Sequence, residues 1–342
     1  MERNTQQVGL FDYQNRLEEL SSRPNALDRL NQVVHWEQFR PLLTKLIAKP
    51  GAPTGRPRFD VVLMFKILVL QRTYGLSDEQ VELQVLDRFS FQRFLGMTVA
   101  DDVPKRTTIW DYREDLRLSG GEPELWKTFE RLLAKRGVKL TTGKIIDASF
   151  VDVPRQHNSK DDNAAINDGT MPEGWDKKST SFVSQKDRDA RWAKKNDEEH
   201  FGYKNHVKID RKTKLIEAYV VSSANVGDQD AVEHLVAKTD GTLWADKGYG
   251  GKRVGDVLAK RSIRDRRQVQ ARHCHPLTIG QMRTNQRRAR IRARVEHVFG
   301  AMKHMRADYI RCIGIARAEF TIGLNNLVYN LHRLAWLKCK HA

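Results

Sequence analysis

The chain has 342 residues, with 60 Lys and Arg against 43 Asp and Glu, for a formal net charge of +17. Its hydrophobic share of 39% excludes a wholly disordered chain, and the length suggests about two domains. Cys274, Cys312 and Cys339 are too few for a disulfide scaffold and fit a reducing compartment.

The opening MERNTQQVGLFDYQ lacks the apolar core of a secretory signal. The longest apolar stretch, Val61 to Leu70, is broken by Lys66 and is half of what a membrane span needs. The expectation is a soluble, cytoplasmic, basic protein with no membrane partner. After a leading helical segment, a loop over Lys49 to Pro57 (KPGAPTGRP) leads into Asp60 to Tyr74, which is apolar nearly all round. That reads as the buried centre of a helical bundle, with Gly75 as its C-cap. Ser77 and Gln80 match a capping box, and Val81, Val85 and Phe89 form one stripe behind it. A further helix is expected from Thr107 or Thr108, carrying Ile109, Trp110 and Leu116. The next has Pro123 in its first turn and stops at Gly137.

Beyond Gly137 the period shortens. Lys144 to Val153, Tyr203 to Ile209 and Leu215 to Val221 read as strands, the last two as a hairpin turning at Asp210-Arg211-Lys212. Between the first two lies a polar insert, about 154–199, that reads as a functional or disordered loop. A short helix over 228–238 and a strand ending at Leu243-Trp244-Ala245-Asp246 follow. Ile291, Val295, Val298, Met302 and Met305 then recur at helical spacing, and Phe320 to Leu337 forms a last amphipathic helix. The fold class is therefore α/β: a helical N-terminal domain over 1–137, and a second domain over 138–342 that ends in helices.

The charge is unevenly spread. Lys252 to Arg311 carries 14 Arg and three Lys against four acids, a net of +13. Such a window is stabilised by a polyanion, and the excess of Arg favours forked contacts to phosphate, so nucleic acid is the leading partner.

Three acids stand out within this pattern. Asp147 follows Ile145-Ile146 inside an apolar strand, where an unpaired carboxylate is costly. Asp246 ends a second apolar strand. Glu296, beside Val295, is the only acid between Arg266 and Lys303. Singly, they read as a strand-end acceptor, a turn residue and a partner of Arg292 four residues earlier. Together, two strands and a helix supply enough oxygen donors for a pair of hard divalent cations, completed by water and substrate phosphate. Such a pair drives in-line phosphoryl displacement, the chemistry of a nuclease or strand-transfer enzyme. His273-Cys274-His275 does not read as a zinc site, because adjacent residues cannot share one tetrahedral ion comfortably and no second pair lies at suitable spacing.

Ordered motifs carry a resemblance over nearly the whole length: Gly55 to Gly96 (beginning GRPRFDVVLMFK), TTIWDYREDL from Thr107, IIDASFV around Asp147, HFGYKNHVKID from His200, WADKGYGG around Asp246, RVEHVFGAMK from Arg294 and NNLVYNLHRL from Asn325. In these the chain resembles bacterial insertion-sequence transposases of the DDE type, in particular the group named after insertion sequence five. The resemblance implies a ribonuclease-H-like catalytic domain in which Asp147, Asp246 and Glu296 are catalytic and bind two Mg2+ ions, or Mn2+ in their place. It also implies the helix pattern in which Arg292 and Lys303 flank Glu296 and hold phosphates; the family's tyrosine would fall at Ala289, where this sequence departs.

The activity it implies is cleavage at terminal inverted repeats of double-stranded DNA and joining of the 3′ ends to target DNA, by a homodimer at the nucleoid. A catalytically silent DNA-binding regulator and a structure-selective nuclease are the alternatives. Lys204 and His206 share a strand face that could approach DNA, with Tyr203 on the packing face. Lys247 and Tyr249 follow Asp246 to the mouth of the site, and Trp192 with Lys194 and Lys195 has the make-up of a stacking and phosphate surface, or of a local turn with the indole packed down. Arg56, Arg58, Lys105 and Arg106 border the N-terminal helices that would read the major groove.

Overall fold

The computed structural model of the chain describes residues 9, 11–48, 57–195, 197–271 and 275–339. Residues 49–56 of the expected loop, with Arg56, and His273 and Cys274 lie outside them. The chain divides into two compact units, Met1–Lys135 with Leu331–Ala342, and Arg136–Asn330. The end of the last helix thus groups with the N-terminal segment, whereas the sequence places it in the second domain.

The first unit contains α1 (Asp12–Ser21), α2 (Ala26–Val33), α3 (Arg40–Ile47), α4 (Val61–Tyr74), α5 (Asp78–Asp87), α6 (Phe89–Leu95), α7 (Arg106–Leu118) and α8 (Gly121–Lys135). Its centre is α4, which has no polar face because neighbours cover Val62, Met64, Phe65 and Ile67 to Leu70. The Asp60 carboxylate accepts the Val62 and Leu63 N–H groups, both at 2.9 Å, and Gly75 closes the helix in the left-handed conformation at φ 61°. The Ser77–Gln80 capping box opens α5. The expected stripe from Val81 to Phe89 does not lie on one helix: Arg88 is extended, so α5 stops and Phe89 begins α6. In the last turns of the chain, His332 pairs with Thr73 at 2.8 Å.

The second unit is built on a six-stranded mixed sheet. It comprises β1 (Gly143–Asp152), β2 (Arg191–Lys195), β3 (Glu198–Asp210), β4 (Ile216–Ser223), β5 (Thr242–Trp244) and β6 (Arg264–Asp265). β1 pairs antiparallel with β3, which pairs antiparallel with β2 and β4 in turn; β5 and β6 continue in parallel on the other side of β1. The β3–β4 turn is fastened by Asp210, whose Oδ1 accepts the N–H groups of Lys212 and Thr213. Gly202 sits at φ 152°, and any Cβ there would lie 2.4 Å from the Val151 carbonyl, so only glycine lets β3 and β1 approach this closely.

Helices α9 (Lys160–Asn167), α10 (Thr180–Ser184), α11 (Val232–Leu235), α12 (Lys252–Lys260), α13 (Ile279–His304) and α14 (Ile315–Cys339) complete the elements. Ile146, Leu243 and Ala245 pack with α11 and α12 in one core cluster; Val151, Phe201, Tyr203 and Val221 pack with Ile322 of α14 in another.

Three expectations are corrected here. The insert over 154–199 is neither structureless nor disordered in its described residues: it forms α9, α10 and β2, and buries Ile166, Trp175 and Asp187. The helix expected over 228–238 is a 3-10 turn at Asp228–Ala231 followed by the single turn of α11. The last helix is not amphipathic, because residues 320–331 are buried without a break. Its asparagines explain how: Asn326 exchanges amide bonds with Asn205 on β3, and Asn330 bonds both the N–H and the carbonyl of Ile216 on β4.

Candidate active site

β1 and β5 run parallel with Ile145 opposite Trp244, and each chain continues two residues to an acid, Asp147 on β1 and Asp246 just past β5. Adjacent parallel strands therefore deliver the two carboxylates to neighbouring positions, Asp147 in the middle of β1 and Asp246 just past the C-terminal end of β5. Helix α13 packs on both β1 and β5 and carries Glu296.

Asp147 is largely buried, and its Oδ1 accepts the Ala148 N–H at 2.9 Å. Burial pushes its carboxyl above the ordinary range, and the Asp246 charge adds to that, against the pull of the Ala148 N–H and the Arg292 guanidinium. Asp246 accepts the Gly248 N–H at 2.8 Å and caps the short turn Lys247–Tyr249. Arg292 joins the remaining acid to the first. Its Nη1 donates to Asp147 Oδ2 at 2.7 Å and its Nη2 to Glu296 Oε1 at 2.8 Å, while its Nε is buried with no partner among the described residues.

Tyr249 is fully buried in the cluster under α11 and α12, and its hydroxyl also has no partner there. Burial drives its pKa far up, and the charges of Asp147, Asp228 and Asp246 reinforce the shift. An orphaned hydroxyl among carboxylates is a site that water or an ion-bound ligand would satisfy.

The donor set of carboxylate oxygens suits a hard divalent cation such as Mg2+ or Mn2+. The arrangement is not a ready metal site, however: among the described residues, no three His, Cys, Asp or Glu side chains converge for one ion. A guanidinium bridges two of the acids instead.

Other expected contacts separate by burial. Lys247 and Lys303 are exposed. Lys204 is half-buried and turned inward, donating to the Val226 carbonyl at 2.8 Å and to Asp228 at 2.9 Å. His206 is a core residue and not a surface contact: it is fully buried, bonds Ser222 Oγ at 2.9 Å through Nε2, and burial holds its pKa down to about 4. Tyr249 likewise presents nothing to the surface, because its ring belongs to the core.

Trp192 on β2 is 40% exposed, rests on Phe201 at 5.0 Å between ring centroids and lies under the Arg155 guanidinium. With Lys194, Lys195 and Phe150 it lines a pocket of about 340 Å³ that begins at Ala148, next to Asp147. Asp228, which also lines that pocket, was not among the expected acids; its only signal is its place in Gly227-Asp228-Gln229-Asp230 after a strand. Arg58 and Lys105 line a separate pocket in the first unit together with Asp101, Asp102, Asp111 and Asp115, an acidic surrounding for two proposed DNA contacts. Among the described residues, no helix is long and apolar enough to cross a membrane.

Comparison with protein families finds two matches. Residues 139–331 match a family described as a transposase DDE domain, and residues 15–115 one described as a transposase domain (DUF772).

Proposed function

The chain belongs to the DDE-domain transposases, and from that premise we propose that it cuts phosphodiesters at the terminal inverted repeats of a transposon and joins the freed 3′ ends to target DNA. The observation that carries this reading is Arg292 on α13, which bonds both Asp147 on β1 and Glu296 on its own helix, with Asp246 just past the adjacent parallel strand β5. Four strands in antiparallel pairings, β1 to β4, continued by the parallel β5 and β6 support a ribonuclease-H-like assignment for this unit. The quoted motifs are what supports reading the chain as one of the group of insertion sequence five.

In this reading Asp147, Asp246 and Glu296 hold Mg2+ or Mn2+. The ions would supply Lewis acidity to activate the nucleophile and stabilise the leaving oxygen. The chain's own residues bring the scissile phosphate to that point. Lys247 lies directly after Asp246, and Lys303 lies on the helix of Glu296; both are exposed and able to contact phosphate. Trp192 offers an aromatic face beside Lys194 and Lys195, and stacking on such a face tolerates any base. The net charge of +17 favours double-stranded DNA as the partner, and two transposon ends call for a homodimer acting at the nucleoid.

The test is cleavage of a duplex carrying the transposon end, in the presence of Mg2+. The unaltered chain nicks at the end, and Asp147→Ala does not. Cleavage that survives Asp147→Ala overturns the assignment.

A further inference from the structure

The Arg292 guanidinium is shared between two acids that come from different elements. It donates to Asp147 Oδ2 at 2.7 Å and to Glu296 Oε1 at 2.8 Å. The other oxygen of Asp147 is taken by the Ala148 N–H, so both oxygens of this carboxylate are engaged. The pair with Glu296 is an ordinary helical i,i+4 contact, but the bond to Asp147 reaches back 145 residues to β1. Among the described residues the buried Arg292 Nε has no partner, nor has the Tyr249 hydroxyl, which senses Asp147, Asp246 and Arg292 electrostatically. Buried donors are ordinarily satisfied. The orphaned Nε marks a guanidinium whose bonding is incomplete while it bridges the two acids.

From this geometry we propose that Arg292 is a resident counter-cation that closes the site, holding Asp147 and Glu296 in the absence of metal, and that a divalent ion displaces it. The inference rests on reading Asp147, Asp246 and Glu296 as the metal ligands. A divalent cation and the guanidinium compete for Asp147 Oδ2, because sharing it would bring like charges together in a partly buried place. This explains why the three acids do not converge on one point as found. Displacement is a rotation of one side chain on a fixed helix, with no change of fold, and it frees a forked donor beside the reacting centre to take a phosphate. Arg292 is thus a positioning residue in the metal-free state, and metal binding and release of its guanidinium are two sides of one coupled equilibrium.

The experiment titrates Mg2+ into the full-length protein without DNA, by calorimetry, and follows its melting temperature in EDTA and in Mg2+. The proteins compared are the unaltered chain, Arg292→Gln and Arg292→Lys. Arg292→Gln removes the competing charge and is expected to bind Mg2+ about tenfold more tightly. It should also melt lower in EDTA and regain stability in Mg2+ by more than the unaltered chain does. Arg292→Lys keeps the charge but cannot fork across both acids, so its affinity should fall between the two; it carries the test if Arg292→Gln fails to fold. Equal or weaker Mg2+ binding by both variants overturns the counter-cation role while leaving the ligand assignment intact. Absence of Mg2+ binding in all three proteins, or binding unaffected by Asp147→Asn and Asp246→Asn, overturns the ligand assignment and the inference with it.

Discussion

The Tyr203 hydroxyl donates to the Asp187 carboxylate, 2.8 Å from Oδ1 and 2.7 Å from Oδ2, and both side chains are buried. Asp187 Oδ1 also accepts the N–H groups of Asp189 and Ala190, both at 3.0 Å, so one carboxylate ties the insert to the middle of β3. Removing the hydroxyl leaves that buried charge short of a donor. Tyr203→Phe should therefore destabilise by about 1.5–3 kcal/mol, read as a lowered midpoint of urea unfolding. Hydrogen exchange should accelerate across β2 before the rest of the sheet. An unchanged midpoint would mean that the insert is held by other contacts.

In the first unit, Lys66 is buried on the apolar helix α4, with its ammonium 4.7 Å from the Phe94 ring centroid and 5.5 Å from that of Trp36. Burial lowers its pKa to about 8, opposed by the charge of Glu37. The folded value lies below the unfolded one, so between about pH 8 and the ordinary lysine range the unfolded state binds more protons and stability rises with pH. Below that window the charged form costs about 3 kcal/mol before the aromatic contacts offset part of it. Lys66→Met should raise the melting temperature at pH 7, with the gain fading as the pH approaches 10. A Lys66→Met protein less stable than the original at pH 7 would show that the aromatic contacts outweigh the burial cost.

How far the sequence speaks for itself follows from the range of each interaction. Gly75 and Ser77 bound their helices by rules confined to a few residues, and these caps are where the sequence puts them. Asp147 and Asp246 stand out in the sequence because a carboxylate inside or just after an apolar strand is costly without a partner. The order of the insert was not visible, since it depends on Asp187 meeting Tyr203 sixteen residues later. The strand period separated the two faces of β3 but could not say that Ser222 on β4 would bury His206. The helix spacing likewise pairs Arg292 with Glu296, whereas its bond to Asp147 exists only in the folded chain.

Lys208 and Asp240 form a buried ion pair at 3.0 Å, and Asp240 also accepts the Ala237 N–H at 2.8 Å. Breaking such a pair on one side leaves an uncompensated charge, so Lys208→Met should cost about 3–5 kcal/mol. The double variant Lys208→Met, Asp240→Asn should recover part of that loss, because the second change removes the stranded charge. Denaturant melts of the two single variants and the double variant give the coupling directly. Additive losses would mean that the two side chains act independently.

Trp192 is the exposed aromatic beside the proposed catalytic acids, and its indole is supported from below by Phe201. Its removal should affect DNA more than the fold. Trp192→Ala is expected to weaken binding of a transposon-end substrate by about 1–3 kcal/mol where an unstacked base is presented, with little change in melting temperature. Lys194 and Lys195 act differently, as point charges on phosphate. Replacing both by alanine should reduce the slope of log affinity against log salt by about 2, one for each phosphate that is no longer neutralised. The Asp197 carboxylate 3.2 Å from Lys194 already offsets part of one charge, so the observed change should fall somewhat short of that value. Anisotropy titrations of labelled end duplex across a KCl series separate the two effects. A Trp192→Ala protein that binds as tightly as the original, with an unaltered salt slope for the double lysine variant, would remove this surface from the path of the DNA.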